Sequence, residues 1–244
     1  FRSLALLLFV CLAFYFMSRA VFVAFADYEG FEKILAILFF MSEFFVVFNA
    51  LGYFVNIYRI TGEDTGTDDR TRPGEAVGAK PPVAMVIPAR HEPRDVLEAT
   101  VISCNNVDYP DKKVYILDDS TDEKHKKEAA RLAKQYHIGI FRREDRHGAK
   151  AGVINDFLKT CGDEYKYIAI FDADKNPMPD FLGKLVQILE GDERLALVQT
   201  PQFYTNLNAS MVTLCSQMQQ SVFYEYVCEG KHSDQAMICC GTNL

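Results

Sequence analysis

Two apolar stretches open the chain, Ser3 to Ala26 and Ile34 to Ile57, each interrupted by a single charge, Arg19 in the first and Glu43 in the second. At about 1.5 Å of rise per helical residue, either is long enough to cross ~30 Å of hydrocarbon. Neither alternates as a strand would. Both are expected to be transmembrane helices. A signal peptide is the rival reading of the first, but its apolar core is too long for that and a second span follows at once. Arg19 and Glu43 are expected to pair across the two spans, the other reading being that Arg19 snorkels toward the interface. Arg2 and Arg59 flank the pair, whereas the connecting loop carries Asp27, Glu29 and Glu32 against Lys33 alone. That bias puts the loop outside and everything after Arg59 in the cytoplasm.

The pattern changes after a polar linker, Thr61 to Pro82. Short buried strands are expected at Val83–Ile87, Lys113–Leu117, Ile138–Phe141, Tyr167–Phe171 and Ala196–Gln199, with helices near Arg94–Cys104, Glu123–Tyr136, Ala149–Lys159 and Phe181–Leu189. Such alternation predicts an α/β fold, a mostly parallel sheet with helices on both faces. The expected organisation is a two-helix anchor (1–60), a linker (61–82) and one domain (83–244).

In an open α/β sheet, ligands sit beyond the carboxyl ends of the strands. The first strand runs into Arg90-His91-Glu92, the second into Asp118-Asp119-Ser120-Thr121-Asp122, the third into His147-Gly148-Ala149-Lys150, and the fourth into Asp172-Ala173-Asp174. Each delivers a carboxylate or a lysine to one edge. Taken singly, any of these is also a turn or a cap, and Asp119 to Glu123 in particular has the form of a capping segment. Together they predict a crevice for an anionic ligand and its metal.

Asp172 and Asp174 carry the metal expectation. Two carboxylates aimed into one crevice repel unless a cation lies between them, and oxygen donors suit Mg²⁺ or Mn²⁺. The plainer alternative is a solvated turn, since Lys175-Asn176-Pro177 follows. No G-x-G-x-x-G follows the first strand and Gly148-Ala149-Lys150 lacks a P-loop frame, so hydride transfer and NTP hydrolysis lose ground. A cation on Asp174, helped by Asp172 and Lys150, suits departure of a nucleoside diphosphate. The net charge of −7 argues against a nucleic-acid partner. The seven cysteines form no C-x-x-C pair, so neither a zinc site nor a disulfide framework is indicated.

From Pro81 to Leu244 the chain resembles the membrane-embedded processive glycosyltransferases of family 2, such as cellulose synthase, its cellulose-synthase-like relatives and hyaluronan synthase. The motifs are Ile116-Leu117-Asp118-Asp119-Ser120-Thr121-Asp122, His147 to Gly152, Phe171-Asp172-Ala173-Asp174, Val198-Gln199-Thr200-Pro201-Gln202 and Cys240-Gly241-Thr242-Asn243. The resemblance implies a GT-A-type, Rossmann-like fold. It also implies that Glu92, Asp118 and Asp119 hold the uridine of a UDP-sugar, with Asp119 on the base, and that Lys150 lies near the diphosphate. Asp172 and Asp174 would bind the metal or the donor sugar. Gln199, Thr200 and Pro201 with Cys240, Gly241 and Thr242 would line the donor or acceptor pocket.

The implied reaction is inverting transfer to a growing β-linked polysaccharide or glycolipid acceptor, in an integral membrane protein of the plasma or inner membrane with membrane lipid, and complex subunits, as partners. Two departures stand out. The first loop reads Ala89-Arg90-His91 where relatives often carry Thr-Tyr-Asn. The family's T-E-D-type segment with its catalytic base, and the Q-x-x-R-W segment, are not in this sequence, so the expectation is a portion of a longer protein whose base lies beyond Leu244. The alternatives are a polyprenyl-phosphate glycosyltransferase, a non-catalytic nucleotide-sugar-binding membrane protein and, more remotely, a sugar nucleotidyltransferase. His147 is read as solvated rather than as a donor contact, and Asn208 to Glu229 as either an interfacial or acceptor-binding helix or plain packing.

Overall fold

The computed structural model describes residues 2–60, 80–233 and 236–244, so most of the expected linker lies outside the described residues. The chain divides into two compact units: Phe1–Gly66 with Gln202–Ile238, and Thr67–Pro201 with Cys239–Leu244.

The first unit is built on α1 (Arg2–Phe25) and α2 (Gly30–Ile60). Both are long and apolar enough to cross a membrane, over Leu6–Phe25 and Gly30–Gly52. Almost none of either window is covered by protein, which separates them from the core helices of a water-soluble fold. The expected pair is present: Arg19 donates through Nε and Nη2 to the two carboxylate oxygens of Glu43, each at 3.2 Å, and the Tyr15 hydroxyl donates to Glu43 Oε2 at 3.2 Å. A third helical run in this unit comprises α7 (Met211–Val222), a π-helical stretch Phe223–Cys228 and α8 (Glu229–Ser233). Its second half packs on α2 and buries Tyr224, Val227 and Cys228.

The second unit is a parallel sheet of β1 (Val83–Ala89), β2 (Lys112–Asp118), β3 (Gly139–Phe141) and β4 (Tyr167–Ile170), in the order β3-β2-β1-β4. Alternate residues of β1 face opposite ways. Val83, Met85 and Ile87 pack with Leu97, Val101 and Cys104 of α3 (Arg94–Asn105), Leu132 of α4 (Glu123–Gln135) and Val186 of α6 (Phe181–Gly191). Ala84 and Val86 pack with Val153 and Phe157 of α5 (Ala149–Cys161). Helices therefore cover both faces, as expected of buried parallel strands.

The expected fifth strand at Ala196–Gln199 is not formed. The edge of β4 is occupied by the last residues instead: Asn243 N–H donates to Ile170 O at 2.7 Å and Ile170 N–H to Leu244 O at 2.9 Å. The segment ending at Thr200 bonds to that added stretch, Thr200 N–H to Asn243 O at 3.1 Å, and so never joins β4 in a ladder. Apolar residues with strand propensity record burial, and here the edge they would have joined is taken by residues more than forty positions away.

Candidate functional site

The strand order reverses at β1, with β2 on one side and β4 on the other, and such a switch point opens a crevice at the carboxyl ends. A cleft of about 390 Å³ lies there, lined by Ala89, Glu92, Asp119, Arg146, Lys150, Asp172 and Asp174 among others. A second cleft of about 540 Å³ lies beside it, lined by Asp118, Asp119, Lys126, Arg142, Arg143 and Arg146 among others. Asp119 and Arg146 belong to both walls.

Each strand end explains its own side chains. After β4, Phe171 and Ala173 are buried, so the intervening carboxylates of Asp172 and Asp174 point away from the core. The turn is tied down where Thr100 Oγ1 of α3 donates to Ala173 O at 2.6 Å and Lys175 N–H to Asp172 O at 3.0 Å. After β2, Asp118 accepts from Ser120 N–H at 3.1 Å, and Asp122 caps α4 by accepting from His125 N–H at 3.0 Å. Those His125 contacts, backbone first and ring second, hold Asp122 down to about 2. The capping role read from Asp119–Glu123 therefore falls to Asp122, leaving Asp118 and Asp119 for the clefts.

The loop after β3 is shaped by two glycines. Gly148 caps α5 with φ +60°, a left-handed conformation that glycine adopts without penalty. Gly152 has the His147 carbonyl oxygen 1.8 Å from where a Cβ would stand. Only a residue with no side chain lets the loop fold back so closely, and this closeness sets the direction in which α5 starts. Lys150, in its first turn, reaches Asp172 Oδ1 and also donates to Gly241 O at 2.6 Å.

Three arginines in this loop escaped the sequence reading: Arg142, Arg143 and Arg146. Arg143 grips Asp119 through two parallel bonds, Nε to Oδ1 and Nη2 to Oδ2, both 2.9 Å, and Arg146 Nε adds a third at 2.9 Å to Oδ2. Arg142 Nε donates to Asp118 Oδ2 at 2.7 Å. Burial pushes the Asp119 carboxyl up, but the bonds from Arg143 and Arg146 outweigh it and hold the group below the ordinary carboxylate range. The signal was available in the run Arg142-Arg143-Glu144-Asp145-Arg146, three guanidinium groups directly after a strand at the ligand edge.

The other expected residues are also brought together. Gln199 Nε2 donates to Thr242 O at 2.8 Å while its Oε1 accepts from Cys240 N–H at 2.9 Å. Thr200 Oγ1 donates to Asn243 O at 3.0 Å, and Thr242 Oγ1 accepts from Asp172 N–H at 2.9 Å. Gln199 and Thr200 thus clasp the Cys240–Asn243 stretch, which in turn meets Asp172 and Lys150. Pro201 follows this clasp and is exposed, and Glu92 is half-buried on the wall of the smaller cleft. His147 is solvated, its side chain 60% exposed.

The donor set has the chemistry of a hard divalent cation: Asp174 is 64% exposed with Lys175 3.6 Å away, and Asp172 is its neighbour on the cleft wall. Among the described residues no group of three or more His, Cys, Asp or Glu could hold a metal. Two carboxylates with the rest supplied by ligand oxygens and water fit Mg²⁺ or Mn²⁺, which bind through one or two protein carboxylates plus phosphates.

Several known proteins resemble the chain. It is 35% identical over 161 residues to glucomannan 4-beta-mannosyltransferase 7 of Arabidopsis thaliana, covering 61% of this chain and 28% of that protein. To cellulose synthase 2 of Novacetimonas hansenii it is 30% identical over 168 residues, covering 66% of this chain and 10% of that protein. The chain therefore spans well under half the length of these curated relatives. Among solved structures it is similar to the mannosyltransferase PcManGT of Pyrobaculum calidifontis in complex with GDP-Man and Mn²⁺, at 22% identity and a TM-score of 0.43, covering 51% of this chain and 37% of that one. The family model described as glycosyl transferase family 2 matches residues 84–243, all of the sheet but Val83, with the residues that line both clefts and the closing Cys240–Asn243 stretch, and the chain belongs to that family.

Proposed function

We propose that this chain is the nucleotide-sugar-binding part of an inverting membrane glycosyltransferase that adds sugar from a UDP-sugar to a growing β-linked polysaccharide. The observation that carries this reading is the convergence of Glu92, Asp119, Lys150, Asp172 and Asp174 on one cleft at the switch point of the sheet. The relatives add weight, since their names describe a glucomannan 4-beta-mannosyltransferase and cellulose synthases, one of them UDP-forming.

In this reading the nucleoside enters beside Asp119. That carboxylate already accepts three guanidinium bonds, so a base that needs more than its one remaining acceptor site displaces a donor. Arg146 is the one to yield, because its side chain is 35% exposed whereas that of Arg143 is 5% exposed. Arg143 stays to orient Asp119. The diphosphate lies toward Lys150, whose ammonium exchanges Asp172 for phosphate oxygen. Asp172 and Asp174 would hold Mg²⁺ or Mn²⁺, which would supply positive charge against the departing diphosphate. The two apolar helices anchor the domain at the membrane with the cleft on the cytoplasmic side, where nucleotide sugars are made, and the acceptor is a polysaccharide or glycolipid. The base that deprotonates the acceptor hydroxyl is expected outside these residues.

The test is calorimetric binding of UDP, and of GDP in parallel, to the detergent-solubilised chain with Mn²⁺ and with EDTA, alongside Asp174→Asn. Metal-dependent UDP binding that Asp174→Asn abolishes is expected. Preference for GDP would move the donor to a guanosine diphosphate sugar, and binding of neither would remove the nucleotide cleft.

A further inference from the structure

His91 stands in the loop where the chain departs from the family pattern, and it joins the two loops that carry Glu92 and Asp119. The last backbone rung between the ends of β1 and β2 is Asp119 N–H to Ala89 O at 2.9 Å. Past it, among the described residues, every hydrogen bond between residues 90–93 and 120–122 involves His91. Its own N–H donates to Ser120 Oγ at 3.2 Å, and its Nε2 stands 2.9 Å from both Thr121 N and Thr121 Oγ1. Its φ is +60°, the left-handed region in which a residue other than glycine stays only when its surroundings hold it. Glu92 follows directly, Asp119 lies next to Ser120, and both carboxylates line the smaller cleft.

A backbone N–H can only donate, so Nε2 accepts from Thr121 and the ring is neutral, with its proton on Nδ1. The Asp122 carboxylate stands 3.2 Å from the same nitrogen, an ion-pair contact without a hydrogen bond. A proton added at Nε2 would point at Thr121 N–H, donor against donor, and turn the ring toward Asp122 instead. The titratable groups set against the ring are Asp122 and His125 of the facing segment, the two rings 5.2 Å apart. Arg90 and Glu92 flank it in the chain. His125, through its backbone N–H first and its ring second, holds Asp122 down to about 2, so this carboxylate stays charged across the range in which histidines change charge.

We propose that His91 is a positioning residue: its neutral Nε2 clasps the Asp119 loop to the Glu92 loop, fixing the two walls of the nucleotide-sugar cleft, and protonation of the ring opens the clasp. Its effect on binding rests on the nucleotide-sugar reading given above.

Two substitutions separate the clasp from the backbone that carries it. Glutamine brings an acceptor near the place of Nε2 and takes up no proton, whereas asparagine tolerates the left-handed backbone but reaches no farther than Nδ1. UDP binding with Mn²⁺ to the detergent-solubilised full chain is measured by calorimetry at about pH 8 and about pH 5.5, for wild type, His91→Gln, His91→Asn and His125→Gln. At the higher pH, His91→Gln is expected within about two-fold of wild type and His91→Asn about five-fold weaker, the equivalent of one neutral hydrogen bond. At the lower pH, wild type should fall about five-fold relative to His91→Gln, a ratio from which the titration of UDP itself cancels, and His125→Gln should follow wild type. Equal pH profiles for wild type and His91→Gln overturn the proposal, as does a profile that flattens in His125→Gln. Nitrogen NMR of the histidine-labelled, nucleotide-free chain, with the His91 signal identified by its loss in His91→Gln, supplies a readout that needs no UDP. The proton is expected on Nδ1 at about pH 8, and a proton on Nε2 overturns the proposal. A chain with the expected tautomer that binds no UDP at either pH supports the clasp and removes the nucleotide reading. Circular dichroism of each variant establishes that it is folded.

Discussion

Arg143 and Asp119 form a buried two-pronged ion pair, guanidinium against carboxylate at 2.9 Å on both prongs, with 5% and 8% of their side chains exposed. Bidentate geometry of this kind fixes orientation as well as charge. Asp119→Asn leaves Arg143 buried beside a neutral amide, and a stability loss of about 3 kcal/mol is expected in chemical denaturation. The pH dependence follows from the depressed carboxyl. Its stabilisation is fully present above the ordinary carboxylate value of about 4 and is lost as pH falls through the lower folded value. Acid titration of wild type against Asp119→Asn should therefore show the two converging below about pH 4.

Gly152→Ala puts a methyl group where the His147 carbonyl oxygen stands at 1.8 Å. The loop must open, at a cost of about 3 kcal/mol, and Arg143, whose Nη1 donates to His147 O at 2.5 Å, moves with it. Thermal unfolding and UDP calorimetry should both report the change. An alanine variant with unchanged stability would contradict the tight return from Gly148 to Gly152.

Lys150 holds both Asp172 and the Gly241 carbonyl, so its removal acts on two partners. Lys150→Met is expected to weaken Mn²⁺-supported UDP binding about ten-fold, the equivalent of one charge-assisted bond to the diphosphate. Unchanged affinity in calorimetry would mean that Lys150 takes no part in holding the diphosphate.

Glu43→Leu strands Arg19 between two helices whose outer faces are apolar, and about 2 kcal/mol is expected to be lost from helix–helix association in bicelles. The double variant Arg19→Leu with Glu43→Leu should recover most of it. A double-mutant cycle with no coupling would assign Arg19 to the interface instead.

Cys104 is fully buried between α3 and the sheet, and burial pushes its thiol up to about 12. It should stay unreactive toward Ellman's reagent at pH 8 in the folded chain, while exposed Cys239 reacts. Denaturation should release all seven thiols.

Sequence by itself determined what depends on local period and composition. The two apolar runs became α1 and α2 because their length and high hydropathy, broken only by Arg19 and Glu43, favour long helices. Four of the five expected strands formed, because short apolar runs framed by turn residues carry their own signal, and the strand-end residues Glu92, Asp119, Lys150, Asp172 and Asp174 reached one cleft because strand direction fixes the edge to which each is delivered. Tertiary structure decided what depends on partners distant along the chain. Ala196–Gln199 lost its place because Asn243 and Leu244 bond to β4 first. Gln199 became a clasp for Cys240 and Thr242, and Asp119 received Arg143 and Arg146, both more than twenty residues away. An ion pair or a clasp is set by which loops meet, and no period in a sequence encodes that meeting.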